Sequence, residues 1–130
     1  MNWTRFVAIV IGAGVLSSLT DWLFAGDWIH RRWTYPEIWR KGAESHAIAL
    51  TSPLPFLSCA IFTYTALRIG LHTVPSLVEF AAAIWCIGPL PLIVTNAAFI
   101  RMHRVFVVFQ ALGWLVNLMI FAAATFIYLQ

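Results

Sequence analysis

Four long apolar runs separated by three polar breaks set the plan of this chain. They cover about residues 6–24, 46–67, 77–100 and 105–128. At ~1.5 Å per residue, a helix of about 20 residues crosses the roughly 30 Å hydrocarbon core of a bilayer. A segment in lipid has no water to bond its backbone, so each run is expected to be a helix. The pattern predicts an all-α integral membrane fold. Four transmembrane helices form a single domain over residues 1–130, with a short interfacial amphipathic helix between the first and second.

The first break, residues 25–45, is the longest, and the polar stretch from Asp21 to His46 overlaps it. That stretch holds Trp22, Trp28, Trp33 and Trp39, four of the seven tryptophans in the chain. These rings suit the headgroup layer as membrane-interface anchors. Thr34 and Glu37 have the spacing of a capping box, and Pro36 falls in the first turn behind it. A short helix from about Tyr35 to Lys41 is expected, ended by Gly42. Ile38 and Trp39 would dip into lipid while Arg40 and Lys41 face phosphates. The sharper alternative makes this helix a lid over Asp21.

The runs themselves carry a few polar positions and breakers. Thr4, Ala8 and Gly12 fall on one stripe of the first run, Gly14 and Ser18 on another, and small residues four apart let helices approach closely in lipid. Asp21 is placed one turn before the end of this helix, where a carboxylate is costly and sits at the negative end of the dipole. An ion pair with Arg101 or Arg104 is the expected remedy. The second run carries Pro53-Leu54-Pro55, with Thr51 and Ser52 placed to serve carbonyls left free by the prolines. The third carries Gly88-Pro89-Leu90-Pro91 and begins at a second capping-box pattern, Ser76 with Glu79. Paired breaks of this kind are either ordinary kinks or the interrupted helices that frame a transporter site. In the fourth run Gln110, Gly113 and Asn117 lie on one helix face and should meet other helices, or a ligand, rather than lipid.

Composition agrees with a lipid solvent: the chain is 62% hydrophobic and 10% charged, against about 25% charged in a soluble domain. The net charge of +3 reflects Lys and Arg at run ends and gives no sign of nucleic-acid binding. Arg31, Arg32, Arg40, Lys41, Arg101 and Arg104 fall on one side of a four-span layout, Arg5 and Arg68 on the other. The positive-inside rule then puts residues 25–45 and 101–104 in the cytoplasm and both termini outside. Cys59 and Cys86 lie in apolar runs and read as packing residues. Residues 1–20 make a poor signal peptide, with Arg5 the one charge and no small-residue cleavage site.

The layout places Asp21, Asp27, His30, Glu37, Glu44, His46, Asn96 and His103 at the cytoplasmic face. Asp21, His46, Asn96, His103, Gln110 and Asn117 are the candidate ligand-binding residues. Glu44, His46 and His103 are the weaker candidates for a metal. No HxxxH or ExxH pattern supports them, no histidine pair suits a haem, and no Gly-rich phosphate loop, GxSxG or CxxC occurs. No cofactor is expected.

Trp22-Leu23-Phe24-Ala25-Gly26-Asp27-Trp28, together with Asn96 to Phe99 and the basic turn into the fourth helix, resembles an uncharacterised family of small bacterial inner-membrane proteins with four helices, a domain of unknown function. Members carry a Leu-Phe-Gly-type element with a following Trp after helix one. The Tyr-Ser-Pro run common at the end of their first helix is absent here. The resemblance implies the fold and the inner membrane but no activity. Three functions are carried forward. The first is a helix-packing or small-amphiphile-binding protein, as a homo-oligomer or a subunit of a larger membrane complex. The second is an oligomeric transporter of ions or small molecules. The third is a membrane enzyme with an acid–base or metal site at Asp21, Glu44, His46 and His103.

Overall fold

A computed structural model describes residues 1–35, 37, 42 and 44–130, with the backbone only at residue 44. The described residues form seven helices and no strand: α1 (Trp3–Ala25), α2 (Asp27–Trp33), α3 (Glu44–Thr51), α4 (Leu54–Arg68), α5 (Val74–Ile87), α6 (Pro89–Phe99) and α7 (Arg104–Leu129). They combine into four stretches long and apolar enough to cross a membrane: Trp3–Trp33, Ser45–Arg68, Val74–Phe99 and Arg104–Leu129. The expected amphipathic helix at Tyr35–Lys41 lies largely outside the described residues, as does Trp39.

Local chemistry explains the helix ends. Asn2 opens α1, its side chain accepting from Arg5 N–H at 3.1 Å. Gly70, at φ 80°, closes α4 in a left-handed turn from which Leu71 N–H reaches back to Ala66 O at 3.0 Å. Glycine takes that conformation without the clash a Cβ would bring. The capping box of α5 corrects the expected one by three residues. Thr73, not Ser76, is the N-cap, and Ser76 supplies the returning hydroxyl. Pro75 therefore falls inside the first turn, and Glu79 is exposed on the helix surface.

Both Pro-Leu-Pro elements break their helices. In the second stretch the chain leaves α3 at Thr51 and re-enters helix at Leu54. The Thr51 hydroxyl donates to Ala47 O at 2.9 Å and the Ser52 hydroxyl to Ile48 O. The carbonyls that Pro53 and Pro55 leave free, four residues back, are those of Ala49 and Thr51, so these two hydroxyls do not serve them. In the third stretch the break falls at Gly88, between α5 and α6. The breaks divide the bundle. No described side chain of α3 is buried, and Ile93 alone is buried in α6. The core lies on the other side of the breaks, where Cys59, Phe62 and Ala66 of α4, Leu77 and Ala81 of α5, and Leu118, Phe121 and Ala122 of α7 close around Ala13.

The first stretch runs further than the expected end at Phe24. After α1 ends, Gly26 holds one extended step and α2 resumes at once, with Ile29 and His30 N–H both bonded to Gly26 O. Asp27 begins α2 and pairs with Arg31 at 2.7 Å, and both charges suit their ends of the helix dipole. Ile29 is fully buried, the His30 ring meets Phe106 at 4.9 Å and Trp33 meets His103 at 4.7 Å. Residues 27–33 therefore continue along α7 down to its first turn.

Helix α7 packs against α1, α2, α4, α5 and α6. Close approach to α1 is possible because Gly113 has no side chain: a Cβ there would stand 2.8 Å from Phe24 Cβ. At the far end Asn2 N–H donates to the Tyr128 hydroxyl at 3.0 Å and Arg5 to Ile127 O at 2.8 Å. Between α4 and α7 the buried hydroxyls of Thr63 and Thr125 bond at 3.0 Å.

Candidate functional site

Asn117 Nδ2 donates to Asp21 Oδ1 at 2.6 Å, joining α7 to α1. The length suits a charge-assisted bond to a carboxylate. Asn117 stands thirteen residues after Arg104, about 20 Å along the helix at ~1.5 Å per residue, so the bond lies near the middle of α7. Asp21 lies one turn before the end of α1, as expected, but α2 continues past Gly26, so Asp21 is not at the end of the first stretch. The ion pair with Arg101 or Arg104 does not form. Arg101 instead stacks on the Tyr35 ring at 4.3 Å, and no described Lys or Arg pairs with Asp21.

One turn before Asp21, Ser17 faces the same way and is fully buried. Its neighbours return their hydroxyls to the carbonyls of their own helix, Ser18 to Gly14 O at 2.9 Å and Thr20 to Leu16 O at 3.1 Å. Ser17 does not. Its Oγ and the Oδ1 of Asn117 are buried without a hydrogen-bond partner among the described residues. An unpaired buried polar atom costs about 1–3 kcal/mol, and a native structure rarely leaves two together without something to bond them.

Ser17 and Asn117 both line one cavity of about 130 Å³ between α1, α4 and α7. Ser17, Asp21, Thr51, Ser58 and Asn117 supply its polar wall, and Leu54, Pro55, Trp114 and Phe121 its apolar one. The break at Pro53 shapes it, since Thr51 ends α3 and Leu54 and Pro55 begin α4 on its rim. Among the described residues, Asp21 is the one titratable side chain lining it. A second, more open cavity of about 270 Å³ lies near the chain ends, lined by Met1, Tyr64, Leu67, Arg68 and Tyr128.

The other residues singled out from the sequence are dispersed. Gln110 is half-buried on the same helix as Asn117 but does not line the cavity. His103 is the N-cap of α7, its Nδ1 accepting from Val105 N–H at 3.2 Å. His46 on α3 and Asn96 on α6 are exposed, and the Glu44 side chain lies outside the described residues. Among the described residues no three His, Cys, Asp or Glu side chains gather as a metal would require. Of the tryptophan anchors, Trp22 is exposed, while Trp28 turns to Phe109 with its indole N–H bonded to Trp22 O at 3.0 Å.

Ser17, Ser58 and Trp114 were not singled out from the sequence. Ser17 carried a readable signal, being four residues before Asp21. Ser58 and Trp114 carried none, because nothing local shows which face of α4 or α7 meets Asp21. No family model, no curated protein and no solved structure matches the chain.

Proposed function

We propose that the protein is a small polytopic protein of a bacterial inner membrane that binds a small polar solute or ion between α1, α4 and α7 and carries it across the bilayer. Its termini lie outside, and the segments that join the first stretch to the second and the third to the fourth lie in the cytoplasm, following the distribution of Lys and Arg. The four-helix family it resembles agrees with that setting and adds no activity. One observation carries the reading. Asp21, one turn before the end of α1 and level with the middle of α7, bonds across the bundle and lines a polar cavity at the point where a long apolar stretch is broken. Ionisable groups at such depth are expensive and mark solute or proton paths, and broken helices expose backbone only where it lines a cavity.

The test is flux in proteoliposomes over a panel of small cations, protons and neutral solutes. The wild-type protein should pass one of them faster than protein-free vesicles do, and Asn117→Leu should abolish that flux while the protein stays folded. Flux that survives Asn117→Leu removes this cavity from the path.

The second reading is a helix-packing protein in which Asp21 and Asn117 hold α1 to α7 and nothing more. The close approach at Gly113 favours it. It expects no flux, and a loss of thermal stability in Asn117→Leu as its whole effect. The enzyme reading loses its constellation, since Asp21 bonds at mid-helix while His103 caps the start of α7.

A further inference from the structure

We infer that the cavity between α1, α4 and α7 is a site for a monovalent hard cation of the sodium type. Its ligands are the Asp21 carboxylate, Asn117 Oδ1 and Ser17 Oγ, with water completing the shell. The inference rests on the binding reading above and names its ligand class.

The donor set comes first. Every side-chain heteroatom that lines the cavity, apart from the nitrogens of Asn117 and Trp114, is an oxygen. No sulfur or imidazole is present, so a soft or borderline metal has nothing to prefer here. The Asn117 nitrogen is already spent on Asp21 Oδ1. That bond also decides which way the amide points. Reversed, it would set its own oxygen against a carboxylate oxygen, acceptor against acceptor. Asp21 therefore turns Asn117 Oδ1 away from itself, where it is buried and unpartnered. Ser17 Oγ is left in the same condition on the same cavity. Asp21 Oδ2 remains available beside them.

Charge and size narrow the class. Ionised, Asp21 brings one negative charge, and among the described residues no other charged side chain lines the cavity to offset it. A single positive charge balances it. A calcium site gathers 6–8 oxygens, usually with several carboxylates, and magnesium leans on carboxylates and phosphates in strict octahedral order. The volume of about 130 Å³ holds a cation and a few waters, each taking roughly 30 Å³ of liquid. Pockets for drug-sized organic ligands begin near ~300 Å³, above this volume.

The experiment is equilibrium binding of radioactive sodium ion to the purified full chain in detergent, with potassium and calcium as competitors. The flux panel above is run in parallel. Expected is saturable sodium binding that weakens by at least the ~10–100-fold typical of a lost supporting contact at a metal site, in both Asp21→Asn and Ser17→Ala. Size-exclusion and thermal melts confirm that each variant is folded. If Asp21→Asn does not fold, Ser17→Ala decides, since it removes one oxygen from a small side chain. Unchanged sodium affinity in folded Ser17→Ala overturns the assignment. Saturable calcium binding without sodium binding overturns the monovalent class but leaves the binding reading standing. Flux of a neutral solute or of protons alone, with no sodium bound, does the same. Neither flux nor binding of any kind brings down the inference and the proposed function together.

Discussion

Two glycines one helix apart in the bundle illustrate how much a single position decides. Gly113 is buried at the α1–α7 contact, where an added Cβ would meet Phe24 Cβ at 2.8 Å. Gly12 on α1 has nothing within 4 Å of its missing Cβ. Gly113→Val should destabilise the protein by about 1–3 kcal/mol through overpacking, while Gly12→Ala should stay within about 0.5 kcal/mol, as surface changes do. Thermal melts of the two variants in one detergent check the contrast; equal losses would mean α1 presents the other face. The small-residue stripes were visible in the sequence, but their roles were not. Gly14 packs on the Phe56 ring and is buried, whereas Thr4, Ala8 and Gly12 are exposed. Spacing shows that residues share a face and leaves open which face meets a neighbour. Asp21 and Asn117 stood out for the same simple reason, as polar groups among apolar ones. Their partnership did not, because it depends on depth, and depth depends on where the first stretch ends.

At the scale of elements, the two Pro-Leu-Pro breaks looked alike in the sequence and serve different places. The α3–α4 break lines the cavity through Thr51, Leu54 and Pro55, and the α5–α6 break at Gly88 does not. Pro53→Ala returns an N–H to the backbone and lets helix run on toward Ser52. It should slow amide exchange at residues 50–54 and reduce flux. Pro89→Ala should leave flux at the wild-type rate. Hydrogen exchange with the proteoliposome assay tests both, and equal effects on flux would make the two breaks one device. Four helical stretches long and apolar enough to span were legible because twenty apolar residues leave few alternatives. The continuation through α2 was hidden because Asp27, His30, Arg31 and Arg32 read as a polar exit. In the fold Arg31 and Arg32 are exposed, while Ile29 is fully buried and the His30 ring packs on Phe106.

The whole molecule is two unlike halves. Toward the chain ends α4, α5 and α7 close on a core of small and aromatic side chains, and toward α3 and α6 the helices bury little of themselves. The cavity falls at the boundary, with Phe121 belonging to both it and the core. The two cysteines report on the same division, Cys59 being buried and Cys86 exposed. A small maleimide in detergent should label one thiol per native chain, at Cys86, and two after denaturation, as counted by intact mass. Native labelling of Cys59 would mean the packed half opens in solution. This asymmetry was not legible in composition, because apolar residues fill both halves and only contact shows which of them are buried.

The bond between Asp21 and Asn117 also sets a clock. Its partners are 96 residues apart in the chain. At the ~5–20 residues per second of synthesis, about 5–20 s separate the appearance of the carboxylate from that of the amide. During that interval α1, α4 and α5 also lack the helix against which each of them packs. A nascent chain therefore holds an unmatched acidic group until α7 arrives. The arrival of α7 both completes the bundle and removes the mark by which an unfinished one can be recognised.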